Sequence, residues 1–187
     1  AVDAASIWLD GPSQGAPDEI ITFNIATDAS GLYGAQLELS FDPAVLQVVG
    51  TQITPGSCPK PDFIVSNSVD NGAGSISYAA TALAPTLPCD GGIIASFQFQ
   101  VSPTAPKGST QVQFASVILA DSNGLEIPVT TVDLNLEIIG VFAEFSGTPT
   151  SGRAPLAVNF TNLSSGDYDS CTWDFGDSSS SSCISHH

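Results

Sequence analysis

The chain has 187 residues, 42% of them hydrophobic, with 17 Gly, 13 Pro, 4 Cys and no Met, enough for one sizeable domain or two small ones. Three Lys+Arg against 19 Asp+Glu leave a formal charge of −16, and a surface that acidic repels phosphate backbones and anionic lipid heads. Nucleic acid and membrane surfaces are therefore poor partners, and the ordinary apolar content argues against wholesale disorder.

The start, Ala1-Val2-Asp3-Ala4-Ala5, suits the mature side of a signal-peptide cut. No apolar run reaches the ~18–20 residues that span a bilayer, so no membrane insertion is expected in this segment. From residue 19 the apolar pattern has period two. Ile21, Phe23 and Ile25 alternate with Thr22 and Asn24, and Ala35, Leu37, Leu39 and Phe41 alternate with Gln36, Glu38 and Ser40. Further along, Ala95, Phe97, Phe99 and Val101 repeat the pattern, as do Val132, Leu134, Leu136 and Ile138. Such runs are strands with one buried face.

Turn signals separate them: Asp28 to Gly31, Asp70-Asn71-Gly72, Cys89 to Gly92, Pro103 to Gly108 and Asp121 to Gly124. The pattern predicts strands over 5–9, 19–27, 32–41, 46–53, 62–69, 74–81, 92–101, 110–119, 124–128 and 131–139. About nine strands fit an all-β, jelly-roll sandwich. At Gly140 the pattern restarts, with strands expected at 141–145, 156–160 and 171–175 before a run of five serines. The domains are thus 1–139 and 140–187. The second is short enough to need staples.

The four cysteines form two local groups, Cys58 with Cys89 and Cys171 with Cys183, and neither has the spacing of a zinc site. Disulfides are the better reading, with four buried thiols as the alternative. Disulfides imply an oxidising compartment, hence an extracellular or cell-surface location.

Gly31-Leu32-Tyr33-Gly34-Ala35-Gln36-Leu37-Glu38-Leu39-Ser40-Phe41-Asp42-Pro43-Ala44-Val45-Leu46, with Ala120 to Val129, resembles a cohesin module over residues 5–139. The resemblance implies a sandwich in which Phe41-Asp42-Pro43 ends a strand in a tight turn and Leu46 caps one end. It also implies a non-catalytic receptor, one sheet face of which receives a calcium-loaded dockerin. Positions where cellulosomal cohesins often place polar recognition residues carry Gly34 and Gln36, and the next recognition strand carries its counterpart near Ala80. In the second domain, Pro149 to Phe160 and Trp173-Asp174-Phe175-Gly176-Asp177 resemble the start of a PKD domain, an immunoglobulin-like sandwich.

For catalysis the chain offers only His186 and His187 at its extreme end, and no paired carboxylates, phosphate loop or nucleophile motif. An enzyme is not expected. Asp174 with Asp177, and Asp121 with Asn123 and Glu126, suit calcium by residue type, but turn stabilisation through backbone amides is the preferred reading. No metal site or cofactor is assigned, with calcium the one candidate. Tyr33 and Tyr78 have inward parity and Trp173 is expected to be the core tryptophan of the second sandwich, leaving Trp8 and Tyr168 for stacking on sugar. Asn159 and Asn162 begin N-glycosylation sequons.

The favoured function is an extracellular protein-binding and assembly module. Its interface is the solvent face carrying Gln36, Glu38, Ser40, Ser77 and Ala79, and its partner is dockerin-like. One alternative is a filament or surface-layer subunit, with identical subunits joined by strand complementation at the short second domain. Another is a carbohydrate-binding module with a polysaccharide partner.

Overall fold

The computed structural model describes residues 4–166, 168 and 170–183. Ala1 to Asp3, and the terminal His186 and His187, lie outside the described residues. The chain clusters into two compact units, Ala1–Ile138 and Ile139–His187.

The first unit contains thirteen strands among the described residues. In chain order they are β1 (Ala5–Asp10), β2 (Gln14–Gly15), β3 (Ile20–Thr27), β4 (Gly34–Phe41), β5 (Leu46–Val48) and β6 (Thr54–Pro55). Then follow β7 (Phe63–Asp70), β8 (Ser75–Thr81), β9 (Gly92–Val101), β10 (Gly108–Ala120), β11 (Glu126–Ile127), β12 (Val129–Val132) and β13 (Leu134–Ile138). They form a six-stranded sheet, β12-β1-β3-β9-β5 with β6 also on β9, and a seven-stranded sheet, β2-β13-β10-β4-β8-β7 with β11 on β10. The fold is all-β, a jelly-roll sandwich.

Period-two patterning creates this architecture directly. Phe23, Phe97 and Phe99 of the six-stranded sheet meet Phe41 of the other in a chain of tilted and edge-to-face rings, with centroids 4.9–6.1 Å apart. Ile7, Ile25, Leu37, Leu39, Ile76, Tyr78, Val112 and Leu136 fill the rest of the core. At the end of β4, Asp42 makes the turn. Its carbonyl accepts the Val45 and Leu46 amides at 3.1 and 2.9 Å, and its carboxylate accepts the Ala44 amide at 2.9 Å. Leu46 is then fully buried. The facing hairpin approaches so closely that a Cβ on Gly74, whose φ is +68°, would lie 2.2 Å from the Phe41 carbonyl oxygen.

Two expected strands are divided. The 46–53 segment pairs only over Leu46–Val48, and β6 resumes at Thr54. After Val49, whose amide still donates to the Gln98 carbonyl, the chain leaves the six-stranded sheet and is tied to β7 and the turn that follows it. Asn67 exchanges two hydrogen bonds with the backbone of Ile53, and Asn71 two with Val48, all 2.7–2.9 Å. The 131–139 segment crosses between sheets at Asp133. There β12 runs parallel to β1, β13 runs antiparallel to β10, and the Asp133 carboxylate accepts the Phe114 amide beside a bulge in β10.

In the second unit β16 (Thr172–Asp174) lies within the expected 171–175, whereas β14 (Phe145–Thr148) and β15 (Asn159–Asn162) begin later than expected and β17 (Ser180–Ser182) is additional. They pair as two two-stranded sheets, β14 with β15 and β16 with β17. The serine run, expected beyond the last strand, is itself the partner of Trp173 and its neighbours. Phe145, Phe160, Trp173 and Phe175 form one ring cluster. Trp173 is half-buried rather than enclosed.

Candidate protein interface

The register of the seven-stranded sheet lays its outward residues in rows. Across β10, β4, β8 and β7 these are Gln113–Ser40–Ser75–Asp70, Ser116–Glu38–Ser77–Ser68, Ile118–Gln36–Ala79–Ser66 and Ala120–Gly34–Thr81–Phe63. Gln36, Glu38, Ser40, Ser77 and Ala79 therefore share one face in three consecutive rows. Gln36 and Glu38 are exposed, Ser40 and Ser77 half-buried, and Ala79 only 7% accessible. Ala79 supplies a flat floor rather than a contact that stands proud.

The recognition position expected near Ala80 is corrected: Ala80 pairs with inward Ala35 and is buried in the core, so outward groups on that strand are Ala79 and Thr81. Tyr78 is buried as its parity requires, whereas Tyr33, before the start of β4, is half-buried.

The face is polarised. Its Gln113 end carries an amide ladder, Gln113 donating to Gln111 at 3.1 Å and Gln111 to Asn135 at 2.9 Å. Its Gly34 end carries exposed apolar side chains at both edges, Ile118 on β10 (45%) and Phe63 on β7 (55%), with Val65 and Leu83 also exposed and Gly34, Gln36, Ala79 and Thr81 between the edges. A Cβ on Gly34 would meet nothing nearer than 3.5 Å, so the fold does not require glycine there.

Phe63 and Leu83 were not singled out in the sequence, because Phe63-Ile64-Val65 resembles a buried run. Asp62 fixes both segments. Its carboxylate accepts Lys60 Nζ at 2.7 Å, Thr86 Oγ1 at 2.6 Å and the Leu83 amide at 3.0 Å. These donors, Lys60 first, lower its pKa to about 2. A disulfide between Cys58 and Cys89 closes the same end of the sandwich, and a second joins Cys171 to Cys183.

The remaining candidate groups are engaged locally. The Asp121 carboxylate accepts the Asn123 and Leu125 amides at 2.8 and 2.9 Å, which lowers its pKa. Asp174 accepts the Gly176 amide, and Asp177 accepts the Ser179 amide and hydroxyl. Among the described residues, no group of three or more His, Cys, Asp and Glu is placed to hold a metal ion. No helix among them is long and apolar enough to cross a membrane. Asn159 is exposed. Asn162 is half-buried, donating to the Tyr168 hydroxyl at 2.9 Å and accepting the Ser164 amide at 3.0 Å.

A family profile for the cohesin domain matches residues 7–138. The chain belongs to the cohesin family. Solved cohesins share the sandwich. A type II cohesin domain from the cellulosome of Acetivibrio cellulolyticus is 20% identical with a TM-score of 0.61, over 72% of this chain and 95% of that one. A chain from a type I cohesin–dockerin complex of Clostridium thermocellum gives 17% identity and a TM-score of 0.64, over 73% and 100%. A non-cellulosomal cohesin from the archaeon Archaeoglobus fulgidus gives 18% and 0.58, over 74% and 93%. At these identities the likeness is one of fold. No curated protein sequence matches the chain.

Proposed function

We propose that this cohesin module is a non-catalytic receptor in an extracellular or cell-surface assembly, docking a dockerin-like protein on the outer face of its seven-stranded sheet. The observation that carries this reading is the polarised face itself: four registered rows with Phe63, Ile118 and Leu83 exposed at one end and amides and hydroxyls at the other. Solved relatives in complex with dockerin, from Clostridium thermocellum and Acetivibrio cellulolyticus, support a protein partner of that kind. Glu38, Asp70 and Glu137 are carboxylates on this face, and no Lys or Arg occurs in its rows, so the partner surface is basic or neutral. Asp121, Asp174 and Asp177 act as turn acceptors for backbone amides, and any calcium is proposed to come with the partner. The family assignment makes the filament alternative unnecessary. The second unit is proposed as PKD-like on its Trp173-Asp174-Phe175-Gly176-Asp177 segment and ring cluster.

Titration calorimetry against dockerin-like modules from the source organism tests the proposal. Gly34→Arg and Ile118→Asp, both surface changes, are expected to weaken binding at least tenfold with an unchanged melting temperature. Binding that survives both variants would reject this face.

A further inference from the structure

We infer that the first unit carries a second binding site, a groove for a neutral oligosaccharide on the outer face of the six-stranded sheet. Its origin is the divided strand. β5 and β6 both pair with β9; the Val49 amide still donates to the Gln98 carbonyl at 2.9 Å, and residues 50–53 then turn away from β9 toward the other sheet, fastened to β7 by the Asn67–Ile53 pair and by the Val69 amide donating to Thr51 at 3.1 Å. Where the chain departs, Val49, Gln52 and Thr54 line a depression of about 270 Å³ together with Thr22, Ser96, Phe97 and Gln98. That volume lies near the lower end of the ~300–1,000 Å³ usual for small-ligand clefts, as befits a site holding part of a longer chain.

The lining chemistry selects the ligand. Two carboxamides and three hydroxyls converge on the groove, and no charged side chain lines it. Gln98 donates to Thr22 Oγ1 at 3.1 Å, while the side chains of Gln52, Thr54 and Ser96 make no hydrogen bond to other described residues. Hydroxyls and carboxamides both donate and accept, as vicinal sugar hydroxyls do. A phosphate or an acidic sugar would find no cation here. Along the same face, Ser96 pairs with Asn24, which pairs with Asp10, and two residues up β1 stands Trp8, outward and half-exposed. Strand spacing and rise put Trp8 roughly 12 Å from Ser96. An apolar ring at that distance serves a second or third sugar rather than the one in the groove.

The site is independent of the docking face, so the two can fail separately. Native affinity electrophoresis of the full chain through gels containing hydroxyethylcellulose, arabinoxylan or galactomannan, with polygalacturonate as the acidic contrast, tests it. Retardation is expected in at least one neutral gel and not in polygalacturonate. Gln52→Ala/Gln98→Ala and Trp8→Ala should each weaken it at least about tenfold, and Gly34→Arg should leave it unchanged. Should a groove variant lose the β-sheet circular dichroism, Gln52→Ala alone, in the loop between β5 and β6, replaces it. No retardation in any neutral gel, retardation indifferent to the groove variants, or retardation by polygalacturonate alone would overturn the inference.

Discussion

Asp62 shows how a single exposed carboxylate can organise an apolar surface. It holds the loop bearing Leu83 against the start of β7, next to Phe63. Its folded pKa, about 2, lies below the ordinary 3.8, so its contribution is fully present above pH 3.8 and is lost as the pH falls through 2. Hydrogen exchange at the Leu83 amide should therefore accelerate over that window in the wild type. In Asp62→Asn the acceleration should be absent, with faster exchange already at neutral pH. Nothing in the sequence around Asp62 distinguished it from the other acidic residues, since its three donors come from separate positions in two loops. Tyr78 poses the opposite case. Its phenol is buried without a hydrogen-bond partner among the described residues, and burial raises its pKa. An unpaired buried hydroxyl costs about 1–3 kcal/mol, so Tyr78→Phe should be neutral or stabilising in urea denaturation. A loss of more than about 1 kcal/mol would reveal an undetected partner.

Among the elements, the Cys58–Cys89 bridge spans 31 residues and encloses β7 and β8, half of the proposed docking face. Closing a loop of that length stabilises by roughly 3–4 kcal/mol, so Cys58→Ser/Cys89→Ser should lower stability to urea by that amount and weaken docking. Asn162 couples β15 to Tyr168 through its amide, and Asn159 does not. Thermal melts should accordingly show Asn162→Gln destabilising the second unit by about 1–2 kcal/mol and Asn159→Gln leaving it unchanged. Strands whose alternation was uninterrupted, such as β3, β4 and β9, were legible to within two residues, because one face of each is wholly committed to the core. The breaks at 49–53 and at Asp133 were not. A strand that passes from one sheet to the other keeps its alternation, and the Asn67 and Asn71 side chains that hold the first break act from a distance in sequence. That Gln36, Glu38 and Ser40 face outward followed from parity, whereas the cross-strand rows and the exposure of Phe63 and Val65 did not, since register is set between strands and Phe63-Ile64-Val65 has the composition of a core strand.

At the level of the whole molecule, a sandwich has two outer faces, and this one uses them differently. The outer face of the seven-stranded sheet carries exposed apolar side chains at one end and amides and hydroxyls at the other, while the departure of residues 50–53 interrupts the edge of the six-stranded sheet beside a polar groove. A strongly acidic chain with carboxylates on the seven-stranded face steers a basic partner toward it, so the association rate should fall as salt rises. The central claim is that the partner covers the seven-stranded face, and hydroxyl-radical footprinting of the complex with its dockerin-like partner tests it most directly. Oxidation of Phe63, Leu83 and Ile118 should fall severalfold on binding while that of Trp8 and Ile20 stays constant. Protection of Trp8 and Ile20 with Phe63, Leu83 and Ile118 unaffected would contradict the account.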